Sequence, residues 1–95
     1  MTSTIIDDLL TATISNKRGL HARASAKFVS VAGDFDAKLT VSKDGTSVCA
    51  TSIMGLMMLA AAIGDQITVK GEGPDKDRAL IAIEELINDK FGEEC

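Results

Sequence analysis

Tryptophan and tyrosine are missing from this 95-residue chain, and phenylalanine occurs only three times. Bases are outnumbered by acids, 10 to 14, which leaves a net charge of −4. Nucleic-acid binders normally present a basic face or aromatic rings that stack on bases, so a nucleic-acid partner is not expected. Cysteine is sparse too. Cys49 and Cys95 lie far apart, at neither a disulfide-framework nor a metal-ligand spacing. Free thiols of this kind fit a reducing cytoplasm, and neither a metal nor a cofactor is expected. No apolar run reaches the roughly 18 residues of a membrane span, so no membrane insertion is expected. The opening, MTSTIIDDLL, has acids where a secretory leader carries bases, which again predicts a cytoplasmic protein. Histidine occurs once, so there is no histidine pair and no set of residues for an autonomous catalyst.

Apolar residues make up 45% of the chain, enough for a folded core, and the length suits one domain over residues 1–95. Stretches 1–8 and 92–95 are expected to be flexible tails, the acidic end FGEEC being most simply a solvated one. From Leu10 to Ser15, apolar Leu10, Ala12 and Ile14 alternate with Thr11, Thr13 and Ser15, the pattern of a strand with one buried face. NKRG then turns the chain. Ala24, Phe28 and Val31 recur at helical spacing from His21 to about Ala32, and Gly33 ends that helix. Leu39 and Val41 mark a second strand, KDG a hairpin, and Thr46–Ala50 the return strand. TSIMGLMMLAAAIG reads as a helix capped by Thr51 or Ser52 and closed by Gly64. DQITVKG is a fourth strand, and Asp75 is placed to cap a last helix with Ala79, Leu80, Ile83, Leu86 and Ile87 on its apolar face. The order β-α-β-β-α-β-α predicts an α+β open-faced sandwich, a mainly antiparallel sheet with helices on one face. Pattern alone leaves the strand order open, because a ferredoxin-like arrangement uses nearly the same string.

The single histidine sits in RGLHARASAKF, at or just before the first residue of the first helix. Opening backbone amides of a helix have no internal partners, and the macrodipole puts partial positive charge there. A phosphoryl dianion can be held at such a point. Arg23 adds a guanidinium whose fork matches phosphate oxygens, Gly19 permits a tight turn, and the alanines keep the approach open. A histidine so placed can act as a covalent nucleophile. Local physics equally allows His21 to be a cap or a solvated side chain, and Arg23 to be merely solvated.

GLHAR at 19–23, followed by SIMGLMML at 52–59, closely resembles the HPr family, the histidine-containing phosphocarriers of the bacterial phosphoenolpyruvate-dependent phosphotransferase system. The resemblance runs from about Leu10 to Ile87. It implies that Enzyme I passes a phosphoryl group to Nδ1 of His21, that Arg23 assists, and that an EIIA-type protein takes the group on. It also implies a four-stranded sheet in the order 1-4-2-3 under three helices, and a monomer. Ser52 matches the serine that the HPr kinase/phosphorylase modifies in some bacteria. As a helix cap, Ser52 has an alternative, purely structural role. Leu56 and Leu59 are core candidates, which turns Ile53, Met54 and Met57 toward the surface as a partner-docking patch of adaptable side chains. Ala24 stands where the family commonly has proline. NKRGLHAR, GEGPDKDRAL and the acidic end look closer to the nitrogen-related branch, which is regulatory, than to the sugar-uptake branch. The competing reading is a binding module of the same fold that never transfers phosphate; the presence of His21 and Arg23 favours the carrier.

Overall fold

Alternating apolar residues place one face of each central strand in the core. The structure, a computed structural model, describes residues 3–93. Its elements are β1 (Ser3–Ile6), β2 (Leu9–Thr13), α1 (Ala22–Ala32), β3 (Lys38–Lys43), β4 (Thr46–Cys49), α2 (Ile53–Met58), β5 (Gln66–Glu72) and α3 (Lys76–Asn88), followed by a 3-10 turn at Lys90–Gly92. Every strand pairing is antiparallel, and the strand order is β1-β2-β5-β3-β4. Leu10 and Val41 both register with Val69, which sets three buried side chains in one row across the sheet. Phe28 of α1, Leu56 of α2, and Leu80, Ile83 and Ile87 of α3 complete the core and are fully buried. Among the described residues, no helix is long and apolar enough to cross a membrane.

Leaving β1 aside, β2-β5-β3-β4 is the expected 1-4-2-3 arrangement. The expected four strands are in fact five, because the segment assigned to a tail forms an edge strand. Ser3 registers with Ala12 and Ile6 with Leu9 across a turn in which Asp7 takes a left-handed φ of 55°, a conformation aspartate tolerates. Ile5 packs against the core, and Ser3 Oγ is fixed to α3 by donating to Glu84 Oε2 at 2.9 Å. Met1, Thr2, Glu94 and Cys95 lie outside the described residues.

The second helix is also shorter than the sequence predicts. It ends at Met58, Ala60 turns left-handed at φ 53°, and residues 60–65 form a loop. Helical bonds within that loop lose to tertiary ones: Leu20 N donates to Ala61 O at 2.9 Å, and Gly64 N to Ile14 O at 2.8 Å. The loop thus lines the chain that leads from β2 to α1. Asp75 precedes α3 as expected but makes no capping bond; its carboxylate accepts from Asp36 N at 2.9 Å instead.

Candidate functional site

Gly19 sets the approach to the first helix. It has φ +63°, and a Cβ built there would lie 2.2 Å from Ala61 O, so the strand-to-helix connection passes directly against the 60–65 loop. Gly19 N closes a turn on Asn16 O at 3.2 Å, and the next amide, of Leu20, is held by Ala61. His21 follows as the N-cap of α1, extended at φ −75° and ψ −177°, with its side chain making no capping bond. Helical bonding begins with Ser25 N donating to His21 O at 2.9 Å. The amides of Ala22, Arg23 and Ala24 therefore open the helix without helical partners. Ala22 and Arg23 are exposed, so nothing bulky closes the mouth.

The imidazole is 22% exposed and is not free to swing. Its Nε2 lies 2.5 Å from Glu93 Oε2, while no described residue is bonded to Nδ1. The other carboxylate oxygen, Oε1, accepts from Asn16 Nδ2 at 3.2 Å; that amide also donates to Gly19 O at 2.9 Å. The bond to His21 is the largest influence holding the Glu93 carboxyl below its ordinary range; burial opposes it, and the bond from Asn16 and the charges of His21 and Arg18 add to the lowering. Glu93 reaches the ring because the chain after α3 is anchored. Phe91 is buried in the core, and Lys27 Nζ donates to Phe91 O at 2.6 Å.

Arg23 is exposed on the first turn of α1 and, among the described residues, forms no ion pair. Ser52 is the N-cap of α2, its Oγ accepting from Gly55 N at 2.9 Å. α2 lies in the same helical layer, packed against α1. Leu56 and Leu59 are buried, and Ile53, Met54 and Met57 face outward as expected. Met58 joins them and, at 77% exposed, is the most open of the group.

Neither Asn16 nor Glu93 carries a sequence signal of its place in the site. The asparagine opening NKRG reads only as part of a turn, yet it is fully buried. The glutamate lies in a stretch whose composition predicts a solvated tail, although Phe91, two residues before it, is the sort of large apolar residue that anchors a chain end.

Fold and site together define a small α+β domain that offers one imidazole at the mouth of its first helix. The family described as PTS HPr component phosphorylation site matches residues 10–89, and the chain belongs to this HPr family of the phosphotransferase system. It is 52% identical over 81 residues to the phosphocarrier protein HPr of Cupriavidus necator, covering 85% of this chain and 91% of that protein. To the phosphocarrier protein NPr of Shewanella violacea it is 46% identical over 81 residues, 85% of this chain and 89% of that one. The crystal structure of HPr-C-His from Thermoanaerobacter tengcongensis superposes with a TM-score of 0.89 at 43% identity, covering 94% of this chain and all (100%) of that one.

Proposed function

We propose that this protein is a phosphoryl relay in which His21 Nδ1 accepts a phosphoryl group from Enzyme I and yields it to an EIIA-type protein. The observation that carries the reading is the partly exposed imidazole at the N-cap of α1, with Nδ1 unengaged by the described residues and the opening amides of Ala22–Ala24 beside it. The N–P bond to His21 forms as the donor's bond to phosphorus breaks, and the reverse exchange passes the group on. Amides and the helix dipole oppose the dianion's charge, and the exposed Arg23 guanidinium adds to them. With one histidine in the chain, the catalytic power belongs to the partners, and the protein is a transfer intermediate.

Ile53, Met54, Met57 and Met58 form the docking patch, an exposed apolar group next to α1. Flexible thioethers let one such surface accept more than one partner. Ser52 is the site for regulatory phosphorylation by an HPr kinase/phosphorylase type of enzyme. Phosphate at the opening of α2 suits the helix, so its effect falls on docking rather than on the fold. The protein acts as a cytoplasmic monomer. NKRGLHAR, GEGPDKDRAL and the acidic end support a regulatory, nitrogen-related relay over sugar uptake, while the chain is similar to HPr and NPr relatives alike.

The deciding experiment adds Enzyme I and phosphoenolpyruvate to the purified protein. Acid-labile, alkali-stable phosphate appears on the wild type and is abolished in His21→Ala; label that persists in the variant places the acceptor elsewhere. Arg23→Ala slows uptake with the fold retained, and an unchanged rate removes Arg23 from the site. Mass measurement after treatment with the kinase and ATP compares the wild type with Ser52→Ala, and equal labelling ends the assignment of Ser52.

A further inference from the structure

The carboxylate at the end of the described chain meets the imidazole on the nitrogen opposite the one assigned to phosphate. We propose that Glu93 is a positioning residue for phosphoryl transfer: by accepting the Nε2–H of His21 it fixes the ring's tautomer and orientation, leaving the Nδ1 lone pair as the nucleophile. The inference rests on the reading of His21 as the phosphoryl acceptor.

A neutral imidazole has one donor and one acceptor nitrogen, and the partner of one sets the role of the other. An ionised carboxylate only accepts, so a proton shared across the 2.5 Å contact belongs to Nε2 and the lone pair to Nδ1. Glu93 is itself held in place. Asn16 Nδ2 occupies Oε1, Phe91 is buried two residues earlier, and Lys27 grips the Phe91 carbonyl at 2.6 Å. Asn16 also donates to Gly19 O, so the glutamate and the turn that delivers His21 share one side chain.

The bond also changes during the reaction. As Nδ1 attacks phosphorus, the N–P bond forms and the donor recovers the electron pair of the bond that breaks. The proton stays on Nε2 while the ring takes on positive charge. A hydrogen bond from a charged donor to a carboxylate is stronger than one from a neutral donor, so Glu93 favours the phosphoryl-bearing ring over the free one. When the group leaves, its bonding pair returns to Nδ1 and the original ring is restored. The carboxylate also repels the incoming dianion, but its charge is partly met by Asn16 Nδ2 and by Arg18.

The test uses the full chain with Glu93→Ala and Glu93→Gln. Long-range 1H–15N NMR of the unphosphorylated protein at neutral pH reads the ring directly. A protected Nε2–H signal is expected in the wild type, lost in Glu93→Ala and retained in weakened form in Glu93→Gln, whose amide oxygen still accepts. Phosphoryl uptake from phosphorylated Enzyme I is expected to be about tenfold slower in Glu93→Ala, with Glu93→Gln in between; tenfold corresponds to roughly 1.4 kcal/mol. An active wild type with an unchanged rate or an unchanged Nε2–H signal in Glu93→Ala overturns the proposal alone. A faster Glu93→Ala overturns it as well, since the carboxylate would then be a brake. A wild type that takes up no phosphate overturns the reading of His21 and this inference with it.

Discussion

Replacing Gly19 by alanine tests how the chain is threaded into the site, and Gly45 supplies the control. Both glycines have positive φ, +63° and +85°, where an L side chain costs about 1–2 kcal/mol. They differ in surroundings. A Cβ at Gly45 meets nothing within 4 Å, whereas one at Gly19 lies 2.2 Å from Ala61 O and 2.9 Å from Ala62 Cα, both backbone atoms. Relief at Gly19 requires the 60–65 loop to move away. That stretches the bond from Leu20 N to Ala61 O, whose residues are both buried. Leaving such groups unpaired adds about 1–3 kcal/mol. The expected losses are therefore about 2–5 kcal/mol for Gly19→Ala and about 1–2 kcal/mol for Gly45→Ala, a large difference against a domain stability of order 5–15 kcal/mol. Urea unfolding of both variants measures them, and phosphoryl uptake should fall only in Gly19→Ala, because His21 lies just beyond the displaced residue. Equal losses in stability would refute the argument that the loop contact, rather than backbone angle alone, demands glycine at position 19.

Further expectations rest on separate parts of the structure. Ser52→Ala removes the acceptor for Gly55 N and should lower stability by about 1 kcal/mol in chemical denaturation, while Ser52→Asp should retain most of it. Met54→Ser and Met58→Ser change exposed side chains, so unfolding should shift by less than about 0.5 kcal/mol while the apparent KM for Enzyme I rises; an unchanged KM would remove the patch from the docking surface. The Glu93 carboxyl titrates below its ordinary value of 4.5 in the folded chain, so its stabilising effect is present above that value and is lost as pH falls through the lower folded one. Unfolding curves of the wild type and Glu93→Gln should accordingly converge as pH drops below about 4.5, and a difference independent of pH would contradict the contact with His21.

The parts of the fold that were legible in the sequence are those whose periodicity outlasts one turn or one strand. Leu10 and Ala12, Leu39 and Val41, and Ile67 and Val69 announce strands because alternate residues must reach the same face, and α3 carries its apolar stripe plainly. The apolar run MMLAAAIG misleads for a physical reason: a loop anchored in the core at Ala61 can share the composition of a helix. What bends this segment out of a helix is the need of Leu20 N and Ile14 O for partners, a demand set far away in the sequence. β1 was hidden for the same kind of reason. A four-residue strand has too little pattern of its own, and it exists through pairing with β2 and the grip of Glu84 on Ser3.

The site divides along the same line. His21 and Ser52 were legible because capping is a local matter, decided by the few residues at a helix opening. Glu93 was not, since its bond to His21 spans 72 residues and depends on where α3 ends, how Phe91 is buried and which way Lys27 points. Yet that distant group acts on the same ring as the local ones. Amides that attract a dianion act on the phosphoryl oxygens, whereas the tautomer and orientation of the nucleophile are set at the ring's other nitrogen. In the proposed relay the helix mouth draws the phosphoryl group, and the carboxylate on the far nitrogen steadies the ring that bears it. Sequence signals confined to one helix opening carry the first of these influences and are blind to the second.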